Sequence, residues 1–159
     1  MPPSIYLRKS LGFTLLEVVI SIGIIMTLSS VVLSSMSTFR ATQTLDAAVE
    51  KTLSAFSLSR LDTISSKNDS AYGVRILQDR VTYFKGTVYP GNGNVNNLDF
   101  VLPTAIELAN ISLNGGGPDV IYQRITGATV NYGTFDIRVK GNTNIITRVT
   151  INQTGTVSI

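Results

Sequence analysis

Hydrophobic positions divide the chain into two parts with different periodicity. From Val18 to Phe39 the sequence contains no charged residue, and as an α-helix this run would span roughly 33 Å, close to the ~30 Å apolar core of a bilayer. No proline occurs between Pro3 and Pro90, so nothing in this part of the chain interrupts a helix. The pattern predicts a transmembrane helix over residues 13–39.

A second helical pattern follows the apolar run. Apolar residues recur there at close to helical spacing, with charged residues between them, which is typical of a helix that packs one face on a core. The predicted stripe consists of Leu45, Val49, Leu53, Phe56 and Ile64. We therefore predict one helix from about Thr14 to Ser66, whose amphipathic half covers residues 40–66.

Beyond residue 71 the period changes from 3.6 to 2, which is typical of β-strands. Turn-forming Gly, Asn and Pro residues separate the apolar runs. Strands are predicted over residues 72–77, 81–85, 98–102, 106–113, 120–125, 135–139, 145–151 and 156–159. The short connections favour an antiparallel meander. The predicted fold class is α+β, with a long N-terminal transmembrane-to-amphipathic helix packed on an antiparallel β-sheet formed by residues 71–159.

Composition removes much of the usual site chemistry. The chain has no His and no Cys, which excludes a His base, a Cys nucleophile and a thiolate zinc site. The formal charge is +3, and Arg8 and Lys9 supply two of the 13 basic residues. All ten acidic residues follow Phe13, so the remainder of the chain is nearly neutral, and nucleic acid is not a default partner.

The apolar run by itself is compatible with several kinds of segment. Arg8 and Lys9 precede it, and the positive-inside tendency places them in the cytoplasm with the rest of the chain across the membrane. A secretory signal peptide is one alternative, with Ser35 and Ser37 as small residues before a cut, although its apolar stretch would be shorter. A plain single-pass anchor and a buried helix of a soluble domain are the others.

Residues 12–17, Gly-Phe-Thr-Leu-Leu-Glu, distinguish this segment from an ordinary anchor. A carboxylate inside an apolar segment is costly, about 2.5–3.5 kcal/mol at a helix centre and less near an end, where Glu17 lies. The motif resembles the processing site of type IV prepilins and pseudopilins. This resemblance implies a prepilin leader over residues 1–12, cleavage between Gly12 and Phe13 by prepilin peptidase, and methylation of the new Phe13 amine.

The resemblance also implies a role for Glu17 and a location for the chain. In this family, Glu17 would pair with the methylated amine of a neighbouring subunit as the helix enters a filament. Snorkelling to the interface, or stabilising its own helix N-terminus, is the alternative for Glu17. The implied location is the inner membrane, single-pass, with the N-terminus cytoplasmic and residues 40–159 outside the cytoplasm. The implied partners are other pilins or pseudopilins, prepilin peptidase, an inner-membrane assembly platform and membrane lipid.

The C-terminal end carries a second, weaker resemblance. The strand–turn–strand from Thr147 through Gly155 to Val157 resembles the end of the H-type minor pseudopilins of type II secretion and of related minor type IV pilins. Many major type IV pilins have a proline partway along the apolar helix, and residues 29–35 have none here. Both features favour a minor or secretion-type subunit. The sequence leaves open whether the filament is a pilus or a pseudopilus, and whether the subunit lies at its tip or in its shaft.

Other functions have less support in the sequence. The Gly-rich stretches lack the spacing of a phosphate loop, and the acidic residues lack that of a calcium loop, so no cofactor or metal is expected. A membrane-anchored periplasmic hydrolase would need paired carboxylates, and no such pair stands out, so the chain is not expected to be an enzyme. Arg138, Lys140 and Arg148 lie in the terminal hairpin, where one sheet face could bring them together. The alternative function is therefore a DNA-uptake minor pilin that binds DNA through this hairpin.

Overall fold

The computed structural model describes residues 12–159, without the side chains at positions 33–35, 37 and 143. Arg8, Lys9 and the rest of the predicted leader before Gly12 lie outside the described residues. The chain forms two compact units, which divide between Phe39 and Arg40. One helix, α1 (Leu15–Ile64), contributes residues to both units.

Both ends of α1 have identifiable local causes. At the start, the Thr14 hydroxyl accepts a hydrogen bond from the Glu17 backbone N–H at 3.2 Å, as an N-cap side chain does. After Ile64, Ser66, Asn68 and Asp69 adopt positive φ angles of about 50°, a conformation that does not continue a right-handed helix. A short 3-10 turn, Lys67–Asp69, follows. The helix bounds thus lie within two residues of those predicted.

The first unit contains the apolar half of α1. The stretch Leu15–Val32 is long and apolar enough to cross a membrane, and none of it is buried within the structure. Three of its four hydroxyl groups bond to carbonyls of their own helix: Ser21 to Glu17, Thr27 to Gly23 and Ile24, and Ser30 to Thr27. Because these three donors are satisfied internally, they do not prevent the segment from lying in hydrocarbon.

The second unit contains two four-stranded antiparallel sheets among the described residues. One sheet has the order β3-β2-β1-β5, with β1 (Tyr72–Ile76), β2 (Arg80–Lys85), β3 (Leu98–Val101) and β5 (Asp119–Ile121). The other has the order β4-β6-β7-β8, with β4 (Ile106–Leu113), β6 (Gly133–Val139), β7 (Asn142–Ile151) and β8 (Val157–Ser158).

This topology confirms the α+β class and the antiparallel strands, but a single meander was the wrong connectivity. After β3, which belongs to the first sheet, β4 pairs with β6 in the second sheet. The next strand, β5, pairs with β1 of the first sheet, so that Val74 lies opposite Val120. Pairing between strands so distant in sequence depends on tertiary packing, and the local pattern of each strand does not specify it.

The core of the second unit lies between α1 and the strands. The helix buries a continuous stripe made of Leu45, Ala48, Val49, Thr52, Ala55, Phe56, Ser59, Asp62 and Thr63. The predicted stripe is correct at Leu45, Val49 and Phe56, whereas Leu53 is only partly buried and Ile64 is exposed. At about 100° per residue, Ile64 lies roughly 80° around the helix from Phe56, outside the buried face.

Candidate assembly segment and charged sheet face

The predicted processing site lies in exposed, non-helical chain. Gly12 and Phe13 precede α1 and have no regular secondary structure. The Phe13 side chain is 82% exposed, and a Cβ placed on Gly12 would meet no atom within 4 Å. Nothing in the described part of the chain covers the peptide bond between these two residues, so a protease could reach it.

Glu17 occupies the first turn of α1 and its side chain is exposed. Its backbone N–H is bonded to Thr14 and its carbonyl accepts from Ser21. Between residues 12 and 159, no lysine or arginine forms an ion pair with its carboxylate. A carboxylate in the first turn interacts favourably with the helix dipole, and it remains available to a cation from outside the described chain.

The predicted basic residues of the terminal hairpin lie beside carboxylates. Arg138 on β6 donates through Nε to Glu107 Oε1 on β4 at 2.7 Å. Arg148 on β7 donates through Nε and a terminal nitrogen to the two oxygens of Asp136, at 2.8 and 3.2 Å. Lys140 follows β6 and is exposed, and no ion pair involves it within residues 12–159.

Strand register explains these pairs, because each acid stands directly across from its base. Glu107 is opposite Arg138 in the β4–β6 ladder, and Asp136 is opposite Arg148 in the β6–β7 ladder. The hydrogen bond from Arg138, helped by one from Gln78, lowers the pKa of Glu107. Two of the three predicted cations are therefore engaged with local acids, which weakens the positive potential of this sheet face.

Asp136 is the more deeply placed of the two acids, with only 1% of its surface exposed. The hydrogen bonds from Arg148 lower its pKa, while burial acts in the opposite direction and a hydrogen bond from Asn110 Nδ2 at 2.8 Å adds to the lowering. A buried carboxylate with this many donors remains ionised at neutral pH. Asp136 thus requires Arg148 as its counter-ion.

Two further charged groups also serve the fold. Asp62 accepts hydrogen bonds from Tyr83 Oη and Lys67 Nζ, both at 2.8 Å, and burial together with Asp62 raises the pKa of the Tyr83 hydroxyl. Burial raises the pKa of Asp119, which faces Arg75 at 3.6 Å.

Residues 12–159 contain no group of three His, Cys, Asp or Glu side chains placed to hold a metal ion.

The fold is shared with one known pilin. Two crystal structures of the type IV minor pilin FimU from Pseudomonas aeruginosa strain PAO1 superpose with TM-scores of 0.55 and 0.51 at 17% sequence identity. The matches cover 72% and 71% of this chain and 87% and 90% of the FimU chains. The chain has a pilin fold. No protein-family model and no curated protein matches the sequence, and at this identity the likeness to FimU concerns the fold alone.

Sequence reasoning missed the carboxylate partners of the hairpin cations and the Thr14 cap. The cap had a readable signal, because Thr14-Leu15-Leu16-Glu17 has the Ser/Thr-x-x-Glu spacing of a capping box. Asp136 and Arg138 are two residues apart on one predicted strand, so the sequence also indicated an acid and a base on the same sheet face. The partner Glu107 had no such signal, because it lies on a strand that the sequence does not assign as a neighbour.

Proposed function

We propose that this chain is a structural subunit, a minor pilin or pseudopilin, of a type IV pilus or type II secretion pseudopilus. The single observation that carries the proposal is the combination, on a pilin fold, of an exposed apolar helix with a first-turn carboxylate, Glu17, that forms no ion pair with any residue from 12 to 159. An exposed apolar helix needs lipid or other helices around it. A pilus or pseudopilus core supplies both an apolar environment and a cation for Glu17.

Cleavage between Gly12 and Phe13 would supply that cation. The new α-amine at Phe13 stands four residues before Glu17, at the start of the apolar segment. In a medium of low dielectric constant an amine and a carboxylate attract strongly, and removing either one leaves the other buried without a partner. Pairing of the methylated Phe13 amine with Glu17 of a neighbouring subunit would thus set the axial register of the helices.

The remaining partners follow from the same proposal. Before assembly the helix lies in the inner membrane with its N-terminus in the cytoplasm, where prepilin peptidase acts on the leader. An assembly platform in that membrane then transfers the subunit into the filament. Within the pilin group, the terminal strand–turn–strand favours the H-type minor pseudopilins and the related minor type IV pilins. The globular unit would be presented on the outer surface of the filament.

An enzymatic role has less support from the carboxylates. A hydrolase acid must hold a proton near neutral pH, which requires a raised pKa. The pKa values of Glu107 and Asp136 are instead lowered by their arginine partners. The pKa of Asp119 is raised, but its charged neighbour is Arg75 and not a second carboxylate. These acids act as partners for local cations, as expected of a structural subunit.

Processing is tested by the intact mass of the protein extracted from membranes of the bacterium that encodes it. The expected mass corresponds to loss of residues 1–12 and gain of one methyl group. Gly12→Val should block cleavage, because the bulkier side chain replaces the residue at the cut, and should leave the full-length chain in the membrane. A mature N-terminus near Thr38 would show an ordinary signal peptide and contradict the proposal.

Assembly is tested separately with Glu17→Gln, which removes the charge and keeps the side-chain shape. The variant should be cleaved and methylated like the wild type, yet be depleted from filaments sheared off the cell. Asp69→Asn is a matched control, because it removes an exposed carboxylate outside the apolar helix. Recovery of Glu17→Gln in sheared filaments at the wild-type level would eliminate the register role of Glu17.

A further inference from the structure

The sequence contains two Asn-Gly steps, Asn92–Gly93 and Asn114–Gly115. The side-chain amide carbon of an asparagine can close a five-membered ring with the backbone nitrogen of the next residue. When that residue is glycine, no Cβ obstructs the approach. Both steps are therefore candidate sites of self-modification, and the structure surrounds them differently.

The ring of Tyr89 is fixed in the loop that joins β2 to β3. It packs edge-on against the ring of Phe84, with centroids 5.4 Å apart, and the guanidinium carbon of Arg75 lies 4.4 Å from its centre. Because the ring is held by both neighbours, its hydroxyl has a defined position. The hydroxyl donates a hydrogen bond to Asn92 Oδ1 at 2.6 Å, which polarises the carbonyl of that side chain.

The Gly93 backbone nitrogen is open to solvent beside this polarised amide. Asn92 and Gly93 are both exposed, and no hydrogen bond within the described part of the chain holds the Gly93 N–H. A Cβ placed on Gly93 would meet no atom within 4 Å. The nitrogen is therefore free to lose its proton to solvent and to approach the side chain of Asn92.

The second step is held by its surroundings. The Asn114 backbone N–H donates to the Tyr132 carbonyl at 2.7 Å, and its Nδ2 donates to the Val130 carbonyl at 2.8 Å. The Asn114 carbonyl accepts a hydrogen bond from Asn131 Nδ2 at 3.3 Å. Because the side-chain amide is bonded to another segment, turning it towards Gly115 would break that hydrogen bond.

We propose that Asn92 is a site of non-enzymatic deamidation, with Gly93 as the nucleophile and Tyr89 as the positioning hydrogen-bond donor. The Gly93 nitrogen gives its proton to solvent and attacks Cγ of Asn92, which forms an N–Cγ bond. Negative charge develops on Oδ1, where the Tyr89 hydroxyl stabilises it. The Cγ–Nδ2 bond then breaks, and Nδ2 takes up protons and leaves as ammonia. The product is a cyclic succinimide.

Water then opens the succinimide at either of its two carbonyl carbons. Attack at the side-chain carbon gives aspartate, and attack at the backbone carbon gives isoaspartate. The two steps together consume one water and release one ammonia, so no oxidant, reductant or cofactor is required. Either product replaces a neutral amide with a carboxylate and lowers the formal charge of +3 by one. The inference concerns the globular unit and does not depend on processing or assembly.

Peptide mapping of the purified full-length protein, incubated in water labelled with heavy oxygen, tests the proposal. The peptide with Asn92 should gain the mass of one water minus one ammonia, take up labelled oxygen, and yield both aspartate and isoaspartate. The rate should rise with pH, because the attacking nitrogen must lose its proton. The peptide with Asn114 is the internal reference and should react at least roughly fivefold more slowly, because a hydrogen bond must break first.

Two glycine variants test the nucleophile. Gly93→Ala places a Cβ beside the attacking nitrogen and should slow the reaction of Asn92 at least roughly tenfold. Gly91→Ala is the matched control, because Gly91 and Gly93 have positive φ angles of 98° and 77° and a Cβ on either would meet no atom within 4 Å. Both changes strain the same loop, but only Gly93→Ala obstructs ring closure. Gly91→Ala should therefore keep the wild-type rate.

Tyr89→Phe tests the hydrogen-bond donor, because it keeps the ring and removes only the hydroxyl. The reaction of Asn92 should slow about fivefold, while Asn114 should keep its wild-type rate. If Tyr89 instead restrained the side chain, its removal would speed the reaction. A variant that unfolds would be recognised in the same sample, because the rate of Asn114 would then rise.

The outcomes separate this inference from the proposed function. Preferential reaction of Asn92 that both Gly93→Ala and Tyr89→Phe slow would support the inference. Equal rates at Asn92 and Asn114, aspartate without isoaspartate, or an unchanged or faster reaction in Tyr89→Phe would each overturn it. Cleaved and assembled protein in which Asn92 does not react would overturn this inference alone and leave the proposed function standing.

Discussion

The ring of Phe56 on α1 stacks on the ring of Phe135 on β6, with centroids 5.8 Å apart and planes inclined by 25°. Both side chains are almost fully buried, at 1% and 0% exposed. Stacked aromatic pairs are worth about 0.5–1.5 kcal/mol beyond the area they bury. This contact makes the second half of α1 part of the core of the globular unit.

We expect a fragment of residues 40–159 to fold on its own, because its helix and both sheets share one core. In this fragment Phe56→Ala should lower the free energy of unfolding by about 3–5 kcal/mol, as truncation of a buried aromatic residue does. Leu61→Ala is the control on the exposed face and should change the free energy of unfolding by no more than about 0.5 kcal/mol. Urea denaturation measures the free energy of unfolding of both variants. A loss below about 1 kcal/mol for Phe56→Ala would contradict the packing.

The pair Arg148–Asp136 predicts a pH dependence of stability. The pKa of Asp136 in the folded state lies below its ordinary value of 3.8. The contribution of ionised Asp136 to the free energy of unfolding is therefore present above the pKa that Asp136 has in the unfolded chain. It is lost as the pH falls through the pKa that Asp136 has in the folded state. Arg148→Ala should destabilise the fragment at pH 7, and the difference from wild type should shrink below about pH 4, where Asp136 takes up a proton and no longer needs a counter-ion.

Urea denaturation at pH 7 and about pH 2.5 measures this difference. Arg124→Ala is the matched control, because its partner Asp69 is 90% exposed and exposed ion pairs contribute little. The free energy of unfolding of Arg124→Ala should stay close to that of the wild type at both pH values. An Arg148→Ala difference of equal size at the two pH values would show that the arginine acts through packing and not through its charge.

The close approach of Gly155 to Gly127 gives a prediction with an internal control. Gly155 and Gly116 have similar positive φ angles, 78° and 73°. A Cβ on Gly155 would lie 1.8 Å from the Gly127 carbonyl oxygen, whereas one on Gly116 would meet nothing within 4 Å. Both alanine substitutions cost about 1–2 kcal/mol in backbone strain. Gly155→Ala should therefore lower the midpoint of thermal unfolding well beyond Gly116→Ala, and equal losses would refute the close approach.

The hairpin cations give a prediction about DNA. Three phosphate contacts would give a salt slope of at most about −3, and Arg138 and Arg148 already pair with acids. We expect no mobility shift of duplex DNA by the globular fragment, even at low salt. The titration is run at two salt concentrations with Arg138→Ala, Lys140→Ala and Arg148→Ala alongside. Salt-sensitive binding that all three variants weaken would instead favour the DNA-uptake function.

The elements of this fold could be predicted because their signals are local. The uncharged run Val18–Phe39 and the change of period after residue 71 place one helix and eight strands in the order that the structure shows. The buried helix face was harder to predict from apolar residues alone. Thr52, Ser59 and Thr63 are fully buried there, and the hydroxyls of Thr52 and Thr63 bond to the carbonyl four residues earlier.

Long-range pairing lay beyond the reach of sequence patterns. The return of β5 to β1, and with it the division into two sheets, depends on which faces bury each other. The ladders that put Glu107 opposite Arg138 and Asp136 opposite Arg148 turn three apparently basic positions into a largely neutralised face. A sequence shows which charged residues follow one another along a strand. It does not show which charged residues lie opposite them on the neighbouring strand.

The sequence by itself determined the apolar N-terminal helix, its carboxylate at Glu17, the glycine and phenylalanine before it, and the α+β class. Composition and periodicity act within a few residues, so these features do not depend on tertiary contacts. Only the tertiary structure decided the two-sheet topology, the partners of the hairpin arginines, and the carbonyl groups of Gly127 and Thr154 that accept hydrogen bonds from Arg60. Each of these depends on residues far apart in the chain, brought together when the helix and sheets bury a common core.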